Sequence, residues 1–166
     1  MKISVITPTF NNGDELHEAL KSVADQPEFK SGKSELELIV VDDGSDMVYQ
    51  EKLEQLKSEF PGILQLIRLS KNLGPAAARN TGIKAASGDW IGFVDADDTW
   101  PESKITAFWL LLNSGDFDIL SGKIRYFSRS GSSLPDLPYE DEANRLHHVH
   151  LGALLAKKEI FELGFY

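Results

Sequence analysis

The sequence predicts an α/β fold: a mostly parallel central sheet with helices on both faces, in three α/β/α layers. Three observations lead there. Short apolar runs of strand length, bounded by turn signals, recur from Ile3 to Val94, as buried strands do. Segments of helical periodicity separate them in strict alternation, the pattern of a parallel sheet covered by helices. Three of the runs stop in clusters of Thr or Asp, which places those clusters along one edge of the sheet.

The elements follow in order. Ile3–Thr7 is a first strand, led by Lys2 and ended by Pro8, and Asn11-Asn12-Gly13 signals a turn. Leu16, Ala19, Leu20 and Val23 recur at helical spacing. Asp14, Glu15 and Glu18 stand in the first turns of that helix, where carboxylates favour the dipole. Residues 26–34 read as a polar connection. Leu36–Val41 is the second strand and runs into Asp42-Asp43-Gly44-Ser45. Tyr49, Leu53, Leu56 and Phe60 mark one face of a second helix, closed by Pro61-Gly62, and Leu64–Leu69 is the third strand. A third helix covers Pro75–Ala86, with Pro suited to its first turn and Gly88 to its exit. Trp90–Val94 is the fourth strand. After Pro101 an apolar helix runs to about Asn113. Phe117–Phe127 reads as further strand interrupted by Gly122, residues 128–144 as a long polar loop, His150–Ala156 as a last strand, and Lys157–Leu163 as the start of a helix.

Composition narrows the function. The 166 residues, 42% hydrophobic and 26% charged, suit one globular domain with a sizeable core. A net charge of -9, with lysines and arginines scattered, argues against a nucleic-acid partner. The absence of cysteine excludes a disulfide framework, a thiolate nucleophile and a zinc–thiolate site. The apolar run in MKISVITPTF is too short for a signal peptide, and no window has the length of a membrane helix. The expected location is therefore the cytoplasm, including the inner face of the membrane.

The candidate chemistry lies where strands end. Thr7-Pro8-Thr9 follows the first strand, Asp42-Asp43-Gly44-Ser45 the second, and Asp95-Ala96-Asp97-Asp98 the fourth. In a parallel sheet these ends share one edge, where open α/β folds bind ligands. Three carboxylates so close repel one another unless a cation or a hydrogen-bond network offsets the cost. Hard oxygen ligands of this kind suit Mg²⁺ or Mn²⁺, with phosphate oxygens completing the coordination. Asn72-Leu73-Gly74-Pro75 leads into the helix that carries Arg79, and an arginine near a helix N-terminus suits a phosphate. The alternative for Arg79 is a surface salt bridge. His147, His148 and His150 suggest metal ligands or a base, but strand alternation favours one inward and two exposed strand residues. Trp100 and Trp109 have the surface to stack on a sugar, although Trp109 has apolar neighbours on all sides and reads as core. Glu140, Asp141 and Glu142 are weak candidates for a base, being in the long loop.

SVITPTFNN, LIVVDDGS and NLGPAAARNTGIKAASGDWIGFVDADD, in that order and spacing, resemble the nucleotide-binding half of family-2 glycosyltransferases with the GT-A, Rossmann-like fold. HVHLGALLAKKEIFELGFY resembles the same family's acceptor-side segment. The resemblance implies a single domain, with residues 1–100 as the nucleotide-sugar-binding half and 101–166 as the start of the acceptor half. It implies that Pro8 and Thr9 line the base and ribose pocket, that Asp43 accepts from the uracil imide N–H, and that Asp42 braces the strand end. Arg79 would lie near the base or diphosphate. Asp95 and Asp97 would form the D-x-D pair, Asp95 toward the ribose and Asp97 on Mn²⁺ or Mg²⁺, with Asp98 as a supporting carboxylate or a helix cap. The implied reaction moves a sugar from a UDP-linked donor to a glycan, lipid-linked or protein acceptor with inversion. Its general base belongs to an acidic pair expected beyond Tyr166, which implies a chain lacking its C-terminal part.

Two rivals remain open from the sequence. One is a non-catalytic nucleotide-sugar-binding module. The other takes Asp95-Ala96-Asp97-Asp98-Thr99 as the D-x-D-x-T of haloacid-dehalogenase-type phosphatases, whose first Asp is the nucleophile. That motif belongs on a first strand, and here three βα units precede it. Neither a G-x-G-x-x-G after a strand nor a G-x-x-x-x-G-K-[ST] is present, so dinucleotide oxidoreductases and P-loop NTPases are disfavoured.

Overall fold

A computed structural model of the protein describes residues 1–13, 15–122 and 150–162. Its elements in chain order are β1 (Lys2–Thr9), α1 (Leu16–Ala24), α2 (Pro27–Lys30), β2 (Glu35–Asp42), α3 (Met47–Glu59), β3 (Leu64–Arg68), α4 (Pro75–Ala85), β4 (Trp90–Phe93), α5 (Lys104–Leu112), β5 (Ile119–Ser121), a 3₁₀ turn (Leu151–Ala153), β6 (Leu154–Lys157) and α6 (Lys158–Glu162). The strands form one sheet in the order β3-β2-β1-β4-β6-β5. β1 to β4 pair in parallel, and β6 runs antiparallel between β4 and β5. The sheet is therefore mostly parallel, as the alternation of elements predicts.

Side-chain alternation along β1 and β2 builds two separate cores. Ile3, Val5, Leu38 and Val40 point to one face and meet α1, α3 and α5. Ile6, Ile39 and Val41 point to the other and meet α4 and α6. On α1 the apolar stripe Leu16, Ala19, Leu20 and Val23 is wholly buried, each leucine contributing about 1.5–3 kcal/mol by leaving water. The three layers follow from this pairing of faces.

Pro8 lies inside β1 instead of ending it. The Ile6 carbonyl accepts from the Val94 amide on the β4 side, and β4 pairs no further than Ile6. Pro8 faces the same side two residues later, where no strand stands, so its missing N–H removes no ladder bond. The segment read as a polar connection contains α2 and a fully buried Gln26. Its polarity is satisfied internally, a fact that composition does not reveal. Of the predicted strand over 117–127, β5 occupies Ile119–Ser121, and its part beyond Gly122 lies outside the described residues. The predicted loop over 128–144 and Asp14 lie outside them too.

At the end of the sheet away from the strand-end clusters, Glu37 ties three segments together. It accepts from the Ser4 hydroxyl at 2.5 Å, the Ser87 amide at 2.8 Å and the Ser87 hydroxyl at 2.5 Å, and Lys2 Nζ lies 3.4 Å away. Burial pushes its carboxyl up, but these hydrogen bonds and the lysine outweigh it and bring the pKa to about 2. A depressed value means stability that is present above the ordinary pKa near 4.5 and is lost as pH falls toward 2. Glu37→Gln is expected to lower stability by about 1–3 kcal/mol at pH 7. Urea unfolding at a series of pH values should show the gap between the two proteins closing between pH 4.5 and 2; a gap independent of pH would refute this account.

Candidate active site

The topology reverses at β1, whose chain neighbour β2 lies on one side and β4 on the other. Such a switch point opens a crevice at the carboxyl ends of the strands. Thr9 and Asp42 end β1 and β2, and Asp43 and the run Asp95–Asp98 follow β2 and β4, so the structure brings the three clusters to one edge.

Thr9 is buried and its hydroxyl donates to the Asn12 carbonyl at 2.8 Å, while Pro8 beside it is partly exposed. Asp42 is fully buried. One of its oxygens accepts from the Ser45 amide at 2.9 Å and the other from Arg68 Nε at 3.1 Å, so it braces the end of β2. Asp43 accepts from the amides of Leu73 and Gly74, both at 2.8 Å. Its carboxylate thereby holds the loop that enters α4, and each oxygen keeps a lone pair for a further donor. Gly44 has a φ of +78°, and a Cβ there would stand 2.6 Å from the Lys71 carbonyl carbon. That loop therefore packs directly on the turn after β2.

Arg79 lies one turn into α4. Its guanidinium meets Asp95 Oδ1 at 2.5 Å, a pair in which the two side chains are 16% and 28% exposed. This is a largely enclosed contact at that edge of the sheet, unlike the surface pair considered from the sequence. Arg79 Nε is buried without a hydrogen-bond partner.

Ligand atoms of Asp95, Asp98 and His150 lie within 4.8 Å of one another, a spacing that suits one metal ion. The sequence pairs Asp95 with Asp97. In the structure Asp97 is not one of the three, and it is exposed, as are Asp98 and His150. Partial burial of Asp98, then repulsion from Asp97 and Asp95, raises its carboxyl above the usual range, against the pull of His150 and Lys104. His150 corrects a sequence expectation: β6 begins at Leu154, and His150 caps the 3₁₀ turn instead of standing on a strand. Gly152 beside it is a turn signal that the strand reading passed over. His147, His148, Glu140, Asp141 and Glu142 lie outside the described residues. Trp100 is 5% exposed, and its indole N–H donates to the Phe93 carbonyl, so it is core and does not face a sugar. Trp109 packs against the same core and donates to the Ser34 hydroxyl.

Lys104 has no counterpart among the sequence-derived residues. Its ammonium sits 4.0 Å from the Trp100 ring centroid and donates to the Gly152 carbonyl. Burial pulls it down to about 7, with the Asp98 charge acting the other way. The only hint in the sequence is the spacing Trp100–Lys104, an aromatic and a cation four residues apart.

The mostly parallel six-stranded sheet with helices on both faces is a GT-A fold, shared with solved glycosyltransferases. The chain belongs to glycosyl transferase family 2, whose model matches residues 4–154. It is 35% identical over 140 residues to the poly(ribitol-phosphate) beta-N-acetylglucosaminyltransferase TarP of Staphylococcus aureus (strain N315), covering 84% of this chain and 41% of that protein. It is 32% identical over 131 residues to the poly(ribitol-phosphate) beta-glucosyltransferase of Bacillus spizizenii, covering 79% of this chain and 20% of that one. The chain thus spans less than half the length of these curated relatives. The crystal structure of S. aureus TarS 1-349 in complex with UDP superposes with a TM-score of 0.77 at 25% identity, covering 98% of this chain and 48% of that one. The family match takes in Asp95–Thr99 and gives no support to the phosphatase reading of that run. Among the described residues, no helix is long and apolar enough to cross a membrane.

Proposed function

We propose that this chain carries the donor site of an inverting glycosyltransferase that takes its sugar from a UDP-linked donor and passes it to a glycan or lipid-linked acceptor. The observation that carries the proposal is the convergence at one sheet edge of the Asp43-held loop, the Arg79–Asp95 pair and the group Asp95, Asp98 and His150. Support for the donor comes from TarS, which is described in complex with UDP. Support for the acceptor comes from relatives named as transferases acting on poly(ribitol-phosphate).

In this reading residues 1–100 form the donor half. Pro8 and Thr9 line the base and ribose pocket, and Asp43 accepts from the uracil imide N–H with its remaining lone pairs. Asp42 keeps the end of β2 in place. Asp95 faces the ribose and the metal together, and Arg79 holds its carboxylate in one orientation. The unpartnered Arg79 Nε–H is a donor that a diphosphate oxygen would satisfy. Two carboxylates and an imidazole fit Mn²⁺, and they fit Mg²⁺ less well because the imidazole is a softer donor. Asp97 remains a further oxygen ligand, exposed beside Asp98. A bound divalent ion would supply positive charge to the diphosphate as it leaves. In this reading the carboxylate that takes the acceptor's proton belongs to the acceptor half.

Calorimetric titration of UDP tests this. UDP is expected to bind with Mn²⁺ present, to lose at least tenfold without it, and to lose at least tenfold in Asp43→Ala and Asp98→Ala. Each loss corresponds to about 1.4 kcal/mol or more. A folded protein that takes no UDP under any metal condition would overturn the proposal.

A further inference from the structure

The metal-capable group has two carboxylates on the loop after β4 and a histidine that arrives from more than fifty residues away. Something must hold that histidine in place, and a continuous set of contacts leads to it. It starts at Gly92 in β4, where a Cβ would stand 3.1 Å from Trp100 Cη2 and 3.2 Å from Leu155 Cδ1. The missing side chain leaves the slot in which the Trp100 ring lies. The residue is held by its ring and by its backbone. Its indole N–H donates to the Phe93 carbonyl at 3.1 Å, and the Trp100 amide donates to the Ser22 hydroxyl at 2.9 Å. The Lys104 ammonium lies over the ring and donates to the Gly152 carbonyl. The Gly152 amide donates to His150 Nδ1 at 3.2 Å, a bond that a metal-binding imidazole would have to release, so the hold on the turn runs through the Gly152 carbonyl. Gly152 is also wedged between ligands, since a Cβ there would stand 3.1 Å from His150 Nδ1 and 3.7 Å from Asp98 Oδ2.

We propose that Lys104 is a positioning residue for the metal site: stacked on Trp100 and bonded to the Gly152 carbonyl, it holds the turn at 150–152 so that His150 faces Asp95 and Asp98. The inference rests on the metal reading of that group. Groups behind the ligands commonly set ligand orientation and change metal affinity by about 10–100-fold when removed. The sign of the effect separates this role from simple electrostatics. An ammonium beside an acidic site repels a divalent cation, so deleting its charge alone would strengthen metal binding. Deleting a positioning contact weakens it.

The test measures Mn²⁺ binding to the full chain without nucleotide, from the loss of the free-ion electron paramagnetic resonance signal. Lys104→Met keeps the stem on Trp100 and removes the ammonium, and circular dichroism melting checks that it folds. His150→Ala and Lys104→Met are each expected to weaken Mn²⁺ by about tenfold. The double variant is expected to be no weaker than His150→Ala alone, because the two act through one ligand. Lys104→Arg keeps a charged donor above the ring and is expected to bind within about threefold of the parent. If Lys104→Met does not fold, Lys104→Arg decides the matter, and a folded Arg variant with a tenfold loss overturns the proposal. Mn²⁺ bound as tightly or more tightly by Lys104→Met, or additive losses in the double variant, also overturn it. If His150→Ala weakens Mn²⁺ and Lys104→Met does not, only the role of Lys104 fails. If the parent takes no Mn²⁺, or His150→Ala changes nothing, the metal reading of this group falls as well.

Discussion

Gly44→Ala is expected to abolish nucleotide binding and to lower the melting temperature on the order of 10 °C. Two costs combine. The residue sits at a φ of +78°, and a left-handed backbone costs an alanine about 1–2 kcal/mol. The new methyl would stand 2.6 Å from the Lys71 carbonyl carbon and 2.8 Å from the Asn72 nitrogen. These are backbone atoms and cannot rotate away, so overpacking adds about 1–3 kcal/mol. Relief requires moving residues 71–72, and the next two residues are the ones whose amides Asp43 holds. The loop entering α4, the Asp43 carboxylate and the start of the Arg79 helix would all shift. Gly62→Ala is the internal control. Gly62 has the same φ of +78° but nothing within 4 Å of its would-be Cβ. It should show the backbone cost alone, about 1–2 kcal/mol, with UDP binding unchanged. Melting curves and UDP titration on the two variants check this, and equal behaviour in both would refute the steric account.

The same region shows what a sequence reveals and what it conceals. The edge was legible because apolar runs give way to Thr7-Pro8-Thr9, Asp42 and Asp95, and a parallel sheet converts those stops into one edge, although β1 continues through Pro8 to Thr9. Asp42 and Asp43 were legible as a pair, but their division of labour depends on partners far along the chain: Arg68 for one, the amides of residues 73 and 74 for the other. His150 was misplaced for a related reason. A histidine before a run of apolar residues looks like a strand end, and only the fold brings it to Asp95 and Asp98. Lys104 was invisible because lysine at a helix start is ordinarily solvated. Its burial depends on Trp100, whose place depends in turn on the missing side chain at Gly92. Local pattern fixes which elements form; long-range hydrogen bonds decide which polar residues are structural.

Gln26 makes that point testable, and Gln26→Leu is expected to destabilise the protein by about 2–4 kcal/mol. The side chain is fully buried between α1, α2 and the approach to α5. Its amide group donates to the Ser22 carbonyl at 3.0 Å and the Pro101 carbonyl at 2.9 Å, and its oxygen accepts from the Ile105 amide at 3.1 Å. The Ile105 amide belongs to the first turn of α5, which has no side-chain cap of its own. A residue nearly eighty positions away thus satisfies one of the amides that every helix start leaves unpaired. Leucine matches the volume of glutamine closely, so the substitution leaves packing nearly intact and strands the Ile105 amide and the Ser22 carbonyl, while the Pro101 carbonyl keeps the Lys104 amide at 3.0 Å. Each buried group left without a partner costs about 1–3 kcal/mol. Gln55→Leu, on the exposed face of α3, should stay within about 0.5 kcal/mol of the parent. Urea unfolding of the two variants gives the comparison. Because Gln26 anchors both Pro101 and the start of α5, it also fixes the segment between Trp100 and Lys104. A Gln26→Leu protein that remains folded should therefore bind Mn²⁺ more weakly, whereas unchanged stability would show that these buried groups find other partners.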